Sequence, residues 1–266
     1  TDRLQGLGIA VEFGQREENV EGKQTIVFSS AIKPDNPEIV AAHAAGERIV
    51  HRSDILSLLM NTKRAVTVAG AHGKTTTSSM LAHILTHAGE GNLADPSYAI
   101  GGSIQGKDGV MLDGGHAGQG DVLVAEADES DGSFAKYHPE IAIVTNSEAD
   151  HLDHYGTQEN YRAAFVDHVQ HAVKSVVMCG DDEGNLAVLR ALDASAAAHT
   201  VVYATQDEAS LGDLNGAAFV HIESESESAQ SGAEHFTLHV PAGLLDGQER
   251  MAVSYTHLTL PTSDLV

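Results

Sequence analysis

An α/β fold built on a parallel sheet, in two units, is what this sequence predicts. Three observations predict it. Short β-branched runs alternate with helical patterns along most of the chain. One of those runs, in VTVAGAHGKTTTS (Val66–Ser78), leads through a Gly-rich turn straight into a helix. Two later apolar runs each end in a cluster of polar side chains, as strands do when they deliver residues to one edge of a sheet.

The elements follow in order. DRLQGLG near the start reads as the end of a helix running into a strand. TIVFSS (Thr25–Ser30) predicts a strand, KPDNP a breaker loop, and EIVAAHAAG a helix closed by Gly46. RIVHR is the next strand, and Ser53 is placed to cap the helix DILSLLM. Residues 1 to about 62 thus form the tail of one small unit. A second series begins at RAVTVAG, with strands over 65–69, 122–125, 141–145, 176–179 and 201–204. Helices near 74–87, 160–173 and 184–192 intervene, which is a doubly wound pattern. In the first of these, Met80, Leu81, Ile84, Leu85 and Ala88 predict one apolar face, ended by Gly89. The Gly-rich stretch from His87 to Asp121 reads as a long loop. FVHIES and HFTLHV predict a hairpin around the polar run ESESESAQSG, a solvated tip. From Val253 onward, VSYTHLTLPTSDLV breaks with the preceding pattern and resembles a translated sequencing adapter, so residues 253–266 read as a non-native tail.

Composition narrows the function. With 42% hydrophobic and 20% charged residues the chain reads as a soluble globular protein. A net charge of -23 argues against a nucleic-acid partner, although a local cluster of amides, a Lys and a metal can still hold a small anion. The single Cys179 excludes an internal disulfide and a multi-thiolate zinc site, and fits a cytoplasmic location. No apolar run reaches the ~18 residues of a membrane helix, and no signal-peptide pattern opens the chain.

The chemistry sits at three strand ends. After the first strand, Gly70, Ala71, Gly73, Lys74, Thr75 and Thr76 form a phosphate-binding turn: backbone N–H groups converge on an anion at a helix N-terminus. Lys74 reaches the terminal phosphates and the Thr75 hydroxyl ligates Mg²⁺. Val68 stands where a strict G-x-x-x-x-G-K-[ST] pattern has its first Gly, so the turn relies on Gly70 and Gly73. After Val122–Ala125, Glu126 is the acid whose place follows from the strand, whereas Asp128, Glu129 and Asp131 read as a solvated loop. After the third strand come Asn146, Glu148, Asp150, His151, Asp153 and His154. His151 and His154 also invite a zinc reading, ranked below magnesium for want of a third partner.

AGAHGKTTTSSML, AEADESDGSF and VTNSEADHLDHYGT, in this order, resemble the Mur ligases, and within them the branch that adds L-alanine to UDP-N-acetylmuramate. The resemblance runs to about Ala252. It implies a remnant of an N-terminal Rossmann-like UDP-sugar domain over 1–62 and a central P-loop ATPase domain over 63–252. The family's C-terminal domain is expected to be missing, as is the Gly-rich turn that opens its first domain. It also implies ATP and Mg²⁺ as cofactors, and amide formation through an acyl phosphate. By motif, Lys74 and Thr75 hold the γ-phosphate and metal, Glu126 and His151 are metal ligands, and His72 and Asn146 face the reacting groups. Ser30, Ala31 and Ile32, with Gly101 and Gly102, lie along the UDP-sugar. Such a fragment is not expected to turn over alone. The muropeptide-recycling ligase, folylpolyglutamate synthase-like enzymes and a non-catalytic nucleotide-binding module are the alternatives.

Overall fold

The computed structural model describes residues 2–106, 108–228, 233–244 and 250–256. The chain divides into two compact units, Thr1–Leu59 and Met60–Val266.

The first unit contains α1 (Asp2–Gly6), the parallel strands β1 (Thr25–Phe28) and β2 (Arg48–His51), α2 (Pro37–Ala45) and most of α3 (Arg52–Met60). α2 forms as its sequence dictates. The Asn36 side chain accepts the Glu38 N–H at 2.9 Å, Pro37 occupies the first turn, and Gly46 ends the helix in the left-handed conformation at φ 70°. Ile39 and Ala42 of α2 are buried, as is Val20. Two expectations fail here. Residues 9–13 form no strand; Ile9 and Phe13 remain exposed, and the backbone there joins no ladder. Ser53 lies inside α3 rather than at its cap. His51 takes that place: its N–H is accepted by Asp54 Oδ2 at 2.8 Å and its Nδ1 faces Ser53 Oγ at 2.6 Å.

The second unit is built on a ten-stranded sheet in the order β14-β13-β12-β11-β10-β9-β3-β8-β4-β7. Its strands are β3 (Arg64–Ala69), β4 (Ser97–Ala99), β7 (Gly115–His116), β8 (Val122–Ala127), β9 (Ile141–Val144), β10 (Ser175–Cys179), β11 (Thr200–Ala204), β12 (Ala218–Ser228), β13 (Ala233–His239) and β14 (Arg250–Thr256). From β12 to β4 every pairing is parallel, and β7, β13 and β14 pair antiparallel at the edges. The expected long loop over 87–121 is not one loop. It supplies β4 and β7 and the small antiparallel pair β5 (Ile104–Gln105) and β6 (Met111–Leu112). The hairpin is present, but β12 extends through Ser228, so strand occupies much of the polar run read as a tip. The tip itself, 229–232, lies outside the described residues. β14 crosses position 253 without a break, and the rest of the expected tail, 257–266, is not described.

Helices cover both faces of this sheet. α4 (Lys74–Ala88) packs on the face that carries Val66, Val122 and Val124, with Tyr98, Ile100 and Ile104 in the same core. The helix presents Ala82 fully buried with Leu81 and Leu85 beside it. The expected apolar face is therefore rotated: Met80 and Ile84 are exposed, and Ser78 is buried in their stead. Burying a serine there works because Ser78 Oγ donates to the Lys74 carbonyl at 2.5 Å, so no polar atom is stranded. α6 (Gln158–Gln170) covers the opposite face, to which Thr67 of β3 points by alternation. Between them, buried His168 bridges Thr67 Oγ1 at 3.1 Å and the Phe134 carbonyl at 3.0 Å. α7 (Glu183–Ala191), α8 (Ala194–Ala198) and α9 (Glu208–Leu211) complete the connections among β10, β11 and β12, and α5 (Leu152–Tyr155) precedes α6.

Chain order reverses beside β3. The chain passes from β3 to β4, returns to β8 between them, then crosses to β9 on the other side of β3. Ligands of doubly wound sheets bind outside the carboxyl ends of strands at such a switch point. All three polar strand ends read from the sequence fall there.

Candidate active site

The turn after β3 is shaped by two glycines. Gly70 has φ 146° and a Cβ there would stand 2.1 Å from Thr145 Oγ1; Gly73 has φ 83° and is the N-cap of α4. Both need a backbone that L side chains rarely adopt, as expected of a turn with Val68 where the strict pattern has its first glycine. The first helical bond of α4 runs from Thr77 N to Gly73 O at 2.9 Å, and no side chain caps the helix. The N–H groups of Lys74, Thr75 and Thr76 are therefore left pointing forward, which suits a bound anion.

Lys74 closes over this turn. Its Nζ donates to Gly70 O at 2.6 Å and Glu129 Oε1 at 3.0 Å, and lies 2.8 Å from Glu129 Oε2. The Glu129 side chain is 1% exposed, so the charge is removed from water and held against the lysine. The Tyr155 hydroxyl donates to the Glu129 carbonyl; burial, with the Glu129 charge next, holds that phenol well above its ordinary range. Glu129 is the residue that sequence reasoning missed. It lies three positions after the strand-end acid, in a loop whose acids look interchangeable in one dimension.

The expected metal ligands separate into two groups. Glu126 Oε1 accepts the Gly101 N–H at 2.8 Å and lies 3.4 Å from Ser78 Oγ. A Cβ on Gly101 would stand 3.3 Å from Glu126 Oε2 and 3.7 Å from Thr75 Oγ1. Glycine at 101 thus keeps open the space between the Thr75 hydroxyl and the Glu126 carboxylate. Two oxygen donors beside an open space suit a hard cation such as Mg²⁺. Gly102 is more tightly confined, since a Cβ there would meet Thr75 Cγ2 at 2.7 Å. His151 instead turns toward Glu129 Oε1, at 3.6 Å, and Asp150 Oδ2, at 3.8 Å. It caps α5 at φ 49°, a conformation uncommon for a non-glycine residue and a mark of functional sites. The His154 ring packs edge-on against Tyr155, 4.8 Å between ring centres. Among the described residues no three His, Cys, Asp or Glu side chains gather as a metal cluster.

Asn146 is bonded to the phosphate turn itself. Its Nδ2 donates to His72 O at 2.8 Å, and its Oδ1 accepts His72 N–H at 3.1 Å, while Thr145 Oγ1 donates to the same carbonyl at 2.6 Å. These three bonds fix the phosphate turn to the end of β9 and leave the His72 ring exposed. Farther along, Asp182 Oδ1 accepts from Ser147 N at 2.9 Å and Asn185 N at 2.7 Å. Buried Asn185 donates to Val144 O and Cys179 O, tying the ends of β9 and β10 together. In the first unit, Ser30 Oγ faces His51 Nε2 at 3.2 Å, and Ala31 and Ile32 line a cavity of about 350 Å³ with Lys33, Asp35 and Asn36.

A Gly-rich turn, a lysine and two carboxylates at the switch point of a parallel sheet define a phosphate-handling α/β domain. Family models agree and specify it. Residues 68–244 match the Mur ligase middle domain, and residues 1–64 match the Mur ligase family catalytic domain. The chain belongs to the Mur ligase family. It is 80% identical over 261 residues to the UDP-N-acetylmuramate–L-alanine ligase of Bifidobacterium adolescentis, covering 98% of this chain and 50% of that protein. It is 70% identical over 248 residues to the enzyme so named from Bifidobacterium longum, covering 93% of this chain and 48% of that protein. The chain thus spans about half the length of these curated relatives. Among solved structures, UDP-N-acetylmuramate–alanine ligase from Thermotoga maritima superposes with a TM-score of 0.68 at 25% identity, over 96% of this chain and 51% of that one. A murein peptide ligase from Psychrobacter arcticus shares the fold, with a TM-score of 0.70 at 23% identity over 97% of this chain and 54% of that one. Among the described residues no helix is long and apolar enough to cross a membrane.

Proposed function

We propose that this chain is the nucleotide-binding half of an ATP-dependent ligase that joins L-alanine to the lactyl carboxylate of UDP-N-acetylmuramate, in the cytoplasm. The observation that carries the reading is the pairing of Lys74 with buried Glu129 across the phosphate turn, in a chain 80% identical to a relative bearing that name. A carboxylate is a poor electrophile until one oxygen becomes a leaving group. Phosphoryl transfer from ATP makes it an acyl phosphate, the amine of L-alanine attacks the carbonyl, and phosphate departs.

The residues present suit that chemistry by positioning and charge. The N–H groups of Lys74, Thr75 and Thr76, with Gly70, Ala71 and Gly73, cradle phosphate oxygens. The Lys74 ammonium supplies the positive charge that transferring phosphates require. Thr75 and Glu126 would hold Mg²⁺, with Glu129 and His151 the second carboxylate and imidazole at the same sheet edge. Bound there, the cation would neutralise charge on the phosphates. Asn146 and Thr145 act on the turn itself, holding the His72 backbone in place. Ser30, Ala31 and Ile32 are proposed for the UDP-sugar, and Gly101 and Gly102 for keeping the substrate side of the phosphate site open.

The test is phosphate release from Mg-ATP by the full-length protein. UDP-N-acetylmuramate is supplied with L-alanine, glycine, D-glutamate or a tripeptide in turn. Release that requires the UDP-sugar and L-alanine supports the proposal. Release only with the tripeptide assigns the protein to muropeptide recycling, and nucleotide binding without release under any condition refutes ligation.

A further inference from the structure

His83 and His87 stand one helical turn apart on α4, and the phosphate site uses neither. Their rings lie 4.0 Å apart between centres, tilted by 31°. Nδ1 of His83 and Nε2 of His87 both face a single atom, the carbonyl oxygen of Gln105 in β5, at 3.3 and 3.2 Å. Both distances are long beside the ~2.9–3.0 Å typical of N–H···O bonds. They fit a different geometry. Around a tetrahedral ion with metal–donor bonds of about 2.0–2.1 Å, neighbouring donor atoms stand about 3.3–3.4 Å apart. We propose that His83, His87 and the Gln105 carbonyl form a binding site for a divalent transition-metal ion that prefers imidazole, Zn²⁺ foremost.

The site is preorganised on both sides. Leu81, Ala82 and Leu85 anchor this stretch of α4 in the core, and the neighbour of Gln105, Ile104, is buried in that same core. Three donors are therefore presented by rigid elements, leaving the remaining position of a tetrahedron to water. Without metal, each nitrogen facing the carbonyl must carry the proton, because a carbonyl oxygen only accepts. Coordination needs the lone pair of that same nitrogen. The proton then moves to the other ring nitrogen, Nε2 of His83 and Nδ1 of His87, and no proton is released overall. The bound ion clasps the β5 segment onto the helix whose first turn holds the phosphate loop.

The experiment titrates the full-length protein with ZnCl₂, with MgCl₂ as the comparison. Calorimetry is combined with ¹⁵N spectra of the histidine rings. The expected result is Zn²⁺ binding that switches the tautomers of His83 and His87 and is not reproduced by Mg²⁺. His83→Asn and His87→Asn should each weaken it about tenfold or more, since each removes one arm of a chelate. Circular dichroism confirms that the variants fold, and either one that does is sufficient. Absence of Zn²⁺ binding, unchanged affinity in a folded variant, or tautomer changes confined to other histidines overturns the proposal.

Discussion

Acidification should weaken this fold through one residue, His168. It is fully buried between β3 and the short turn Ser133–Lys136, and burial lowers its pKa to about 4, from an ordinary value of 6.5. Its Nδ1 faces the Phe134 carbonyl and so carries the proton, and Nε2 accepts from the Thr67 hydroxyl. The folded state therefore holds the ring neutral. Because the folded pKa lies below the unfolded one, the unfolded chain takes up the proton first. The contribution is complete above about pH 6.5 and is lost as pH falls toward 4. A difference of 2.5 pH units corresponds to about 3 kcal/mol in full, of which about 2 kcal/mol is lost between pH 7 and about pH 5. Urea unfolding of the wild type and His168→Gln across that range isolates this share, since the other histidines are common to both. The wild type should lose about 2 kcal/mol more than the variant. Ring ¹⁵N spectra should show a neutral Nδ1–H tautomer that does not titrate above about pH 5. A His168 ring that titrates near 6.5, or parallel pH curves for the two proteins, would refute the reasoning.

Other consequences are equally direct. Lys74→Ala in the full-length protein should reduce phosphate release by roughly 10²–10³-fold or more while circular dichroism stays unchanged, and retained turnover would remove Lys74 from the site. Gly70→Ala places a methyl group 2.1 Å from Thr145 Oγ1 at φ 146°. It should lower stability by about 1–3 kcal/mol in thermal unfolding, and an unchanged melting temperature would contradict the turn geometry. Glu126→Gln and Glu129→Gln separate the two carboxylates. The first should raise the Mg²⁺ concentration needed for half-maximal release, and the second should lower nucleotide affinity by releasing Lys74 from its partner. The opposite pattern would exchange their roles. Asn146→Ala should loosen the turn through the His72 backbone and cost about 1–3 kcal/mol, read by hydrogen exchange at His72 and Gly73.

Much of this was written in the chain itself. Local chemistry determined the alternating strands and helices, the Asn36-Pro37 start and Gly46 stop of α2, and the Gly70–Gly73 turn before Lys74 and Thr75, because each depends on neighbours a few residues apart. Periodicity alone misjudged α4, where Met80 and Ile84 look like core residues. Which side of a helix is buried depends on the sheet it meets, and here β3 and β8 select Ala82 and Ser78. The tertiary structure alone decided which acid meets Lys74. Asp128, Glu129 and Asp131 are alike in sequence, and only the folding of the loop beyond β8 against Tyr155 and His151 buries one carboxylate and leaves it to the lysine. The same holds for the His83–His87–Gln105 convergence. A strand from the Gly-rich connection had to return to the helix before two ordinary histidines could face one carbonyl oxygen.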